Sequence, residues 1–395
     1  MQAAEADPAR TTPRVHAADV PLSVYVHLPW CVKKCPYCDF NSHRAPGQLP
    51  EQAYVDALLA DWRMAAAGVR RPIESVFFGG GTPSLFSAAS IARILAAIDG
   101  ITPLAGDCEI TLEANPGTTE RGRFADLRAA GVNRLSLGVQ SLDDDCLAAL
   151  GRIHDAADAE AAIADARAAS FERLNCDLMF GLPQQTRAGG IADLERLIAL
   201  DPGHISYYQL TLEPNTPFFR RPPALPDDDT VADIFDAGAA RLEAAGFTQY
   251  EVSAWTRPGV ACRHNDNYWR FGDYIGIGAG AHGKLSGDDG AIRRSARLRW
   301  PTGYMSVAGT PAALAEQRTP DAETLRFECL LNALRRRDGL ARRDYETRTG
   351  LDWAALLDHV ARPLAAGLLV ADGHGLRASE RGWHYLDDIL AEVVP

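Results

Sequence analysis

The sequence predicts an open α/β structure built on a mostly parallel sheet. Two regularities carry this. From Leu22 to Gly246, short β-branched or aromatic runs alternate with longer Ala/Leu/Arg stretches of helical spacing. The residues capable of chemistry fall at the ends of the short runs, where parallel α/β sheets gather their sites. Parallel strands need long crossovers, so β-then-α units in series imply a parallel sheet. Six such units are too few for a closed eight-fold barrel, which leaves a three-quarter barrel or a doubly wound sheet.

The expected strands are 22–29, 75–80, 109–115, 134–140, 173–181 and 204–210, each a Val/Ile/Leu/Phe/Tyr-rich run. Between them, helical spacing covers 51–68, 87–99, 119–130, 155–169 and 188–200, with a further helix over 228–245. Gly131, Gly246 and Asp201-Pro202-Gly203 read as stops. After about Tyr250 the period breaks. Residues 262–283, rich in Gly and aromatics, read as ordered loop and short strand, and 320–340 restarts a helix. A helix over 353–366 and a small hairpin follow. The domain reading is an arm over 1–20 expected to be disordered, a core over 21–250, a connecting segment over 251–300 and a C-terminal module over 301–395. Helix–helix–hairpin units occur in nucleic-acid binders, but this one reads as a packing or interaction module.

Composition narrows the class. A formal charge of −12 argues against a duplex nucleic-acid binder, which carries a basic face. No apolar run approaches the ~18 residues of a membrane span. The N-terminal stretch has no hydrophobic region of a secretory signal, so the expected location is the cytoplasm. Cysteines there stay reduced, and clustered ones point to metal or catalysis rather than disulfides.

Three cysteines, Cys31, Cys35 and Cys38, stand in the run HLPWCVKKCPYCDF after the first strand. The other five stand alone. Thiolates suit zinc or iron–sulfur clusters. Structural zinc normally takes four protein ligands, which His27, Asp39 or His43 could complete here. A [4Fe–4S] cube held by three thiolates instead leaves one iron open to a small molecule.

The spacing C-x3-C-x2-C, with Tyr37 before the last cysteine, resembles the radical S-adenosylmethionine (SAM) superfamily. The resemblance implies a partial (β/α)6 TIM-like barrel with a small, mainly helical C-terminal domain. It also implies a [4Fe–4S] cluster on Cys31, Cys35 and Cys38, with the methionyl amine and carboxylate of SAM on the open iron. Reductive cleavage of SAM to a radical is the chemistry such a site supports. Gly80, Gly81 and Thr82, in FFGGGTP, are similar to the segment that meets the aminocarboxylate end of SAM. Glu113, Gln140, Arg152 and Asp177 resemble its polar contacts, and Tyr25 matches an aromatic six residues before the first cysteine. Asp177 is singled out by physics as well, because a carboxylate in an apolar strand needs a partner.

Most of residues 22–220 resemble the anaerobic coproporphyrinogen-III-oxidase-like family. Arg263-His264-Asn265-Asp266-Asn267-Tyr268-Trp269, an H-N-x-x-Y-W arrangement, is similar to the signature of its heme-chaperone branch, and YIGIGAGAHG fits the same branch. The oxidases usually carry a further cysteine two residues past the triad, where this chain has Phe40. The branch implies heme as ligand, apo-hemoproteins such as respiratory cytochromes as recipients, and an electron donor. His264 is a candidate axial ligand, with Asn265, Tyr268 and Trp269 in the heme contact; the alternatives are a histidine that satisfies buried backbone with aromatics packed between domains, and heme bound without any of these as ligand. Cys262 and His282 are alternative ligands, and Arg263 a propionate partner. Two competing readings are an oxidase that converts propionates of coproporphyrinogen III to vinyl groups and a zinc-dependent interaction protein.

Overall fold

The computed structural model describes residues 15–117 and 122–394. A twelve-stranded sheet forms its frame. The strands, in chain order, are β1 (Leu22–Leu28), β2 (Ile73–Gly80), β3 (Leu104–Ala114), β4 (Arg134–Gln140), β5 (Arg173–Phe180), β6 (Gly203–Gln209), β7 (Thr248–Glu251), β8 (Ala254–Thr256), β9 (Asp273–Ile277), β10 (His282–Ser286), β11 (Ile292–Arg297) and β12 (Leu314–Arg318). Their order across the sheet is β12-β11-β10-β9-β1-β2-β3-β4-β5-β6-β8-β7, and the run β9-β1-β2-β3-β4-β5-β6 is parallel. The crossover helices are α1 (Glu51–Ala65), α2 (Ala88–Asp99), α3 (Phe124–Ala129), α4 (Ala156–Ala168), α5 (Arg187–Ala199) and α6 (Asp228–Ala244).

All six strands read from the sequence are present, and the sheet is open. Local chemistry sets the helix ends. Ser87, Asp155, Thr186 and Asp227 accept backbone N–H groups at the starts of α2, α4, α5 and α6. Gly131 and Gly246 follow α3 and α6 at φ +109° and +83°, a conformation glycine adopts without Cβ penalty. The expected helix over 119–130 begins partly outside the described residues; its described part is α3.

Two readings are corrected. Residues 262–283 are not mainly loop. Arg263–Trp269 is a helix, α7, and Asp273–Ile277 is a seventh parallel strand, paired with β1 from Leu22↔Asp273 to Val26↔Ile277. The expected arm over 1–20 falls largely outside the described residues, but Val15 and Val20 are buried with the C-terminal module. The segment 301–318, grouped by sequence with that module, lies with the sheet. Helix α8 (Pro301–Val307) buries Tyr304 in the barrel core, and β12 pairs with β11. Helices then restart at Ala322, and a three-stranded sheet of Leu340–Ala341, Leu369–Ala371 and Gly375–Ala378 completes a second core around Leu330, Tyr345 and Trp353.

Strand alternation sorts the side chains. Val24, Val26, Val76 and Phe78 belong to the apolar core. The opposite parity places Ser23, Ser75 and Glu109 in one register row and Asn175 and His204 in another, toward the N-terminal ends of the strands, with Arg134 at the start of β4 between them. Tyr25, Glu113, Asp177 and Tyr208 share that parity nearer the C-terminal ends.

One buried ion pair ties the first crossover to the far strands. Arg297 Nε donates to both carboxylate oxygens of Asp61 at 3.0 Å, and Tyr304 Oη donates to Asp61 Oδ2 at 2.8 Å. Asp61 and Arg297 are 0% and 4% exposed as side chains, so removing one partner strands a buried charge. Asp61→Ala is therefore expected to cost about 3–5 kcal/mol, read as a lowered midpoint in urea unfolding.

Candidate functional site at the C-terminal mouth of the barrel

The three cysteines leave β1 on a loop that the barrel holds by its two ends. At one end, Trp30–Cys31 forms a short parallel bridge with His43–Arg44. Trp30 packs edge-on against Tyr54, with ring centres 4.7 Å apart. At the other end, Asn41 is clamped. Its side-chain amide donates to Ala279 O at 3.0 Å and Arg299 O at 2.9 Å, and its carbonyl accepts from His27 Nε2 at 2.9 Å. A carbonyl only accepts, so Nε2 carries the proton and Nδ1 accepts from Tyr25 Oη at 3.0 Å. Burial lowers His27 to about 4, which keeps it neutral in this role.

Glycines let the pieces meet. A Cβ on Gly80, at φ +115°, would lie 2.6 Å from the His27 ring, and one on Gly81 would lie 2.5 Å from Trp30 O. On Gly280 it would lie 2.3 Å from Asn41 Nδ2. The sequence reading gave Gly80 and Gly81 a ligand-approach role; the close approach seen here is to the root of the cysteine loop itself. Thr82 is buried, donates its N–H to Trp30 O at 2.8 Å and receives Asn115 Nδ2 at 2.9 Å.

Cys31, Cys35 and Cys38 are free thiols and partly exposed. Burial raises the thiols of Cys31 and Cys38, so binding a metal group there releases protons. Among the described residues no three His, Cys, Asp or Glu side chains converge on a point that would hold a single metal ion. His27 spends both ring nitrogens on Tyr25 and Asn41 and is no fourth ligand. Three soft thiol donors from one loop, with no fourth ligand from His27, have the chemistry to hold an iron–sulfur cluster.

The remaining polar residues ring this loop. Arg152 donates to Cys35 Sγ at 3.5 Å, to Asn115 Oδ1 at 2.5 Å and to Gly138 O at 2.9 Å. Glu113 Oε2 accepts from Gly80 N at 3.1 Å. Burial, then repulsion from Asp177, pushes Glu113 up to about 8. Asp177 accepts from Asn175 Nδ2 at 2.8 Å, and burial raises it too. Gln140 ends β4 at φ +70° and accepts from Tyr208 Oη at 2.7 Å. Tyr37 packs beside Phe218, and Tyr25 stacks on Phe77. The structure thus gathers Tyr25, Tyr37, Gly80, Gly81, Thr82, Glu113, Gln140, Arg152 and Asp177 around the mouth. Asn41 and Asn115 were missed. Asn115 lies two residues after Glu113 at a strand end, which was a usable signal; Asn41 had none.

The H-N-x-x-Y-W segment lies elsewhere, as helix α7 closing the N-terminal end of the barrel. His264 is 1% exposed. Its Nδ1 bonds Ser75 Oγ at 3.0 Å, its Nε2 bonds Tyr268 Oη at 3.2 Å, and its ring stacks on Phe77 at 4.9 Å. Cys262 is fully buried, with Sγ 3.7 Å from Glu109 Oε1. His264 and Cys262, the expected axial ligands, are thus both enclosed and engaged with protein partners here. Arg263 pairs with Asp107, and Trp269 lies under the guanidinium of Arg335 at 4.5 Å, facing the C-terminal module. Asn265 is half-buried on the same helix, and His282 is exposed on β10.

Residues 25–199 match the Radical SAM superfamily, and 321–385 match the HemN C-terminal domain. The chain is 45% identical over 371 residues to the heme chaperone HemW of Escherichia coli, covering 94% of this chain and 97% of that one. It is 44% identical to the heme chaperone HemW of Haemophilus influenzae, with the same coverages. Identity to the mitochondrial radical S-adenosyl methionine domain-containing protein 1 of Mus musculus is 39%, covering 97% and 89%. Among solved structures, coproporphyrinogen III oxidase (HemN) from Escherichia coli superposes with a TM-score of 0.80 at 24% identity, over 95% of this chain and 90% of that one, a likeness of fold. With identity this high along nearly its whole length, the chain belongs to the HemW family of the radical SAM superfamily.

Proposed function

We propose that the protein binds heme and passes it to apo-hemoproteins, respiratory cytochromes among them. It would carry a [4Fe–4S] cluster on Cys31, Cys35 and Cys38 with exchangeable SAM. The observation that carries the reading is the end-to-end likeness to proteins named heme chaperones, joined to a three-thiol loop that leaves a cube one protein ligand short. When bound, that group supplies an electron and an open iron for the aminocarboxylate end of SAM.

The chain's own residues have definite tasks in this reading. Arg152 lies on Cys35 and Asn115 and balances negative charge beside the thiolates. Glu113, held by Gly80 N, accepts from the SAM amine, and Asp177 sits behind it as a second carboxylate. Asn41, fixed by the turn at Ala279, holds the loop so that the cysteines face the mouth. The likeness to coproporphyrinogen oxidase is one of fold, and Phe40 occupies the place of those oxidases' further cysteine.

After anaerobic reconstitution, iron and acid-labile sulfide are each expected at about four per chain, falling to background in the Cys31→Ala, Cys35→Ala and Cys38→Ala variants. Zinc without sulfide would contradict the assignment. Hemin titration should saturate, while coproporphyrinogen III with SAM and reductant should show no turnover.

Proton linkage gives a second test. Glu113 has its folded pKa raised, so it binds a proton across neutrality that an ordinary glutamate has lost. Its share of folding stability is full below the ordinary carboxylate range and is lost as pH rises through about 8. Because SAM is met by the ionised form, affinity should tighten as pH climbs from about 6.5 to 8.5, and Glu113→Gln should remove about one proton from that slope. Equilibrium dialysis at several pH values measures it; an unchanged slope in the variant would contradict the role.

A further inference from the structure

Large apolar side chains are exposed at ten positions among the described residues, and five of them surround the cysteine loop: Val32, Phe40, Ile153, Phe219 and Trp300. Val32 and Phe40 are on the loop. Ile153 follows Arg152, which reaches Cys35, and Phe219 belongs to the short helix whose Phe218 N–H donates to Pro36 O at 3.1 Å. Trp300 follows Arg299, whose carbonyl is held by Asn41. Phe40 and Trp300 are the two most exposed of the ten, at 62% and 71%. Exposed apolar surface gathered at one place marks a binding site more than a packing remnant.

Phe40 and Trp300 flank a groove of about 480 Å³ on the outer side of the loop, walled by Cys38, His43 and the 214–217 segment. This is a ligand-sized volume. Its charged residues are Lys34, Arg299 and Asp39, a net positive lining, and no ion pair joins either cation to a carboxylate among the described residues. Lys34 Nζ donates to Phe40 O at 2.9 Å and Ser42 O at 3.0 Å, which leaves its charge in place beside the groove. On a chain of formal charge −12, unpaired cations here attract an anion. The His43 ring lies 5.2 Å from that of Trp300, and its Nε2 is buried with no hydrogen-bond partner, a deficit that a ligand in the groove would relieve.

We propose that heme docks in this groove, its macrocycle lying against Phe40 and Trp300 and its propionates facing Lys34 and Arg299. The inference rests on the heme-chaperone reading and places the cargo beside the cluster loop instead of at α7. A flat apolar dianion matches two aromatic faces with two unpaired cations; SAM is assigned to the inner side of the same loop, at Gly80–Thr82 and Glu113.

The test is hemin titration of the reconstituted full chain, followed by absorbance, for wild type, Phe40→Ala/Trp300→Ala, Arg299→Glu and His264→Ala. Iron and sulfide content in each confirms that the loop is intact. The double variant is expected to lose about tenfold or more in affinity and Arg299→Glu about fivefold. His264→Ala should stay within about twofold of wild type. Hemin dimethyl ester, which lacks the carboxylate charges, should bind wild type about tenfold more weakly than hemin. If wild type binds hemin and the double variant binds it equally well, the groove is overturned while the chaperone reading stands. If wild type shows no saturable hemin binding, the chaperone reading itself fails. Equal binding of hemin and its ester would overturn the assignment of the propionates.

Discussion

The site depends on how one asparagine closes one loop. Asn41 spends both amide protons on carbonyls of the 279–299 region and its own carbonyl on His27, so the loop's end is fixed from three directions. The clamp works only because Gly278 and Gly280 have no side chain: a Cβ would meet His27 O at 2.5 Å and Asn41 Nδ2 at 2.3 Å. Behind that turn, Tyr54 Oη donates to His27 O at 2.9 Å and accepts from Ala279 N at 2.8 Å. The pair Asp61–Arg297 adds a charge-assisted anchor through Tyr304. The YIGIGAGAHG stretch is thus a seventh parallel strand followed by the backstop of the cysteine loop.

The two ends of the barrel have different chemistry. The N-terminal end is sealed by α7 and the Cys262 before it: His264, Asn267 and Cys262 meet Ser75 of β2, Ser23 of β1 and Glu109 of β3. Glu109 also pairs with Arg173 at 2.8 Å. The outward side of α7 carries the C-terminal module. Arg336 Nε bonds Asp266 at 2.9 Å, and Arg348 bonds Arg270 O at 2.7 Å. Burying this much polarity is tolerable because its members are largely hydrogen-bonded to each other. The C-terminal end stays open, with raised carboxylates at Glu113 and Asp177 and free thiols above them. In this position the H-N-x-x-Y-W motif plugs one end of the barrel and joins two modules.

Much of this was legible in the sequence. Periodicity located the six strands and their helices, and the triad spacing with Glu113 and Gln140 at strand ends located the mouth. What was not legible is non-local. Strand β9 pairs with β1 across some 250 residues of chain, and a five-residue run with a glycine inside it gives no periodic signal. Helix α7 is mostly His, Asn, Asp, Tyr and Trp, weaker helix formers, and is stabilised by what it packs against. The enclosure of His264 depends on Ser75 and Phe77, far away in the chain, and the exposure of Phe40 and Trp300 depends on the loop they border. A single sequence ranks a histidine in a motif above one outside it, which is why His43 was weighed only as a zinc ligand.

The central claim is that the chain leaves one corner of its cluster for SAM. Pulsed EPR of the reduced, reconstituted protein with SAM labelled by ¹⁵N at its amino group tests it most directly. The account predicts a nitrogen coupling to the cluster that appears only with the labelled compound. A spectrum indifferent to SAM, with coupling to a histidine nitrogen of the chain instead, would contradict it.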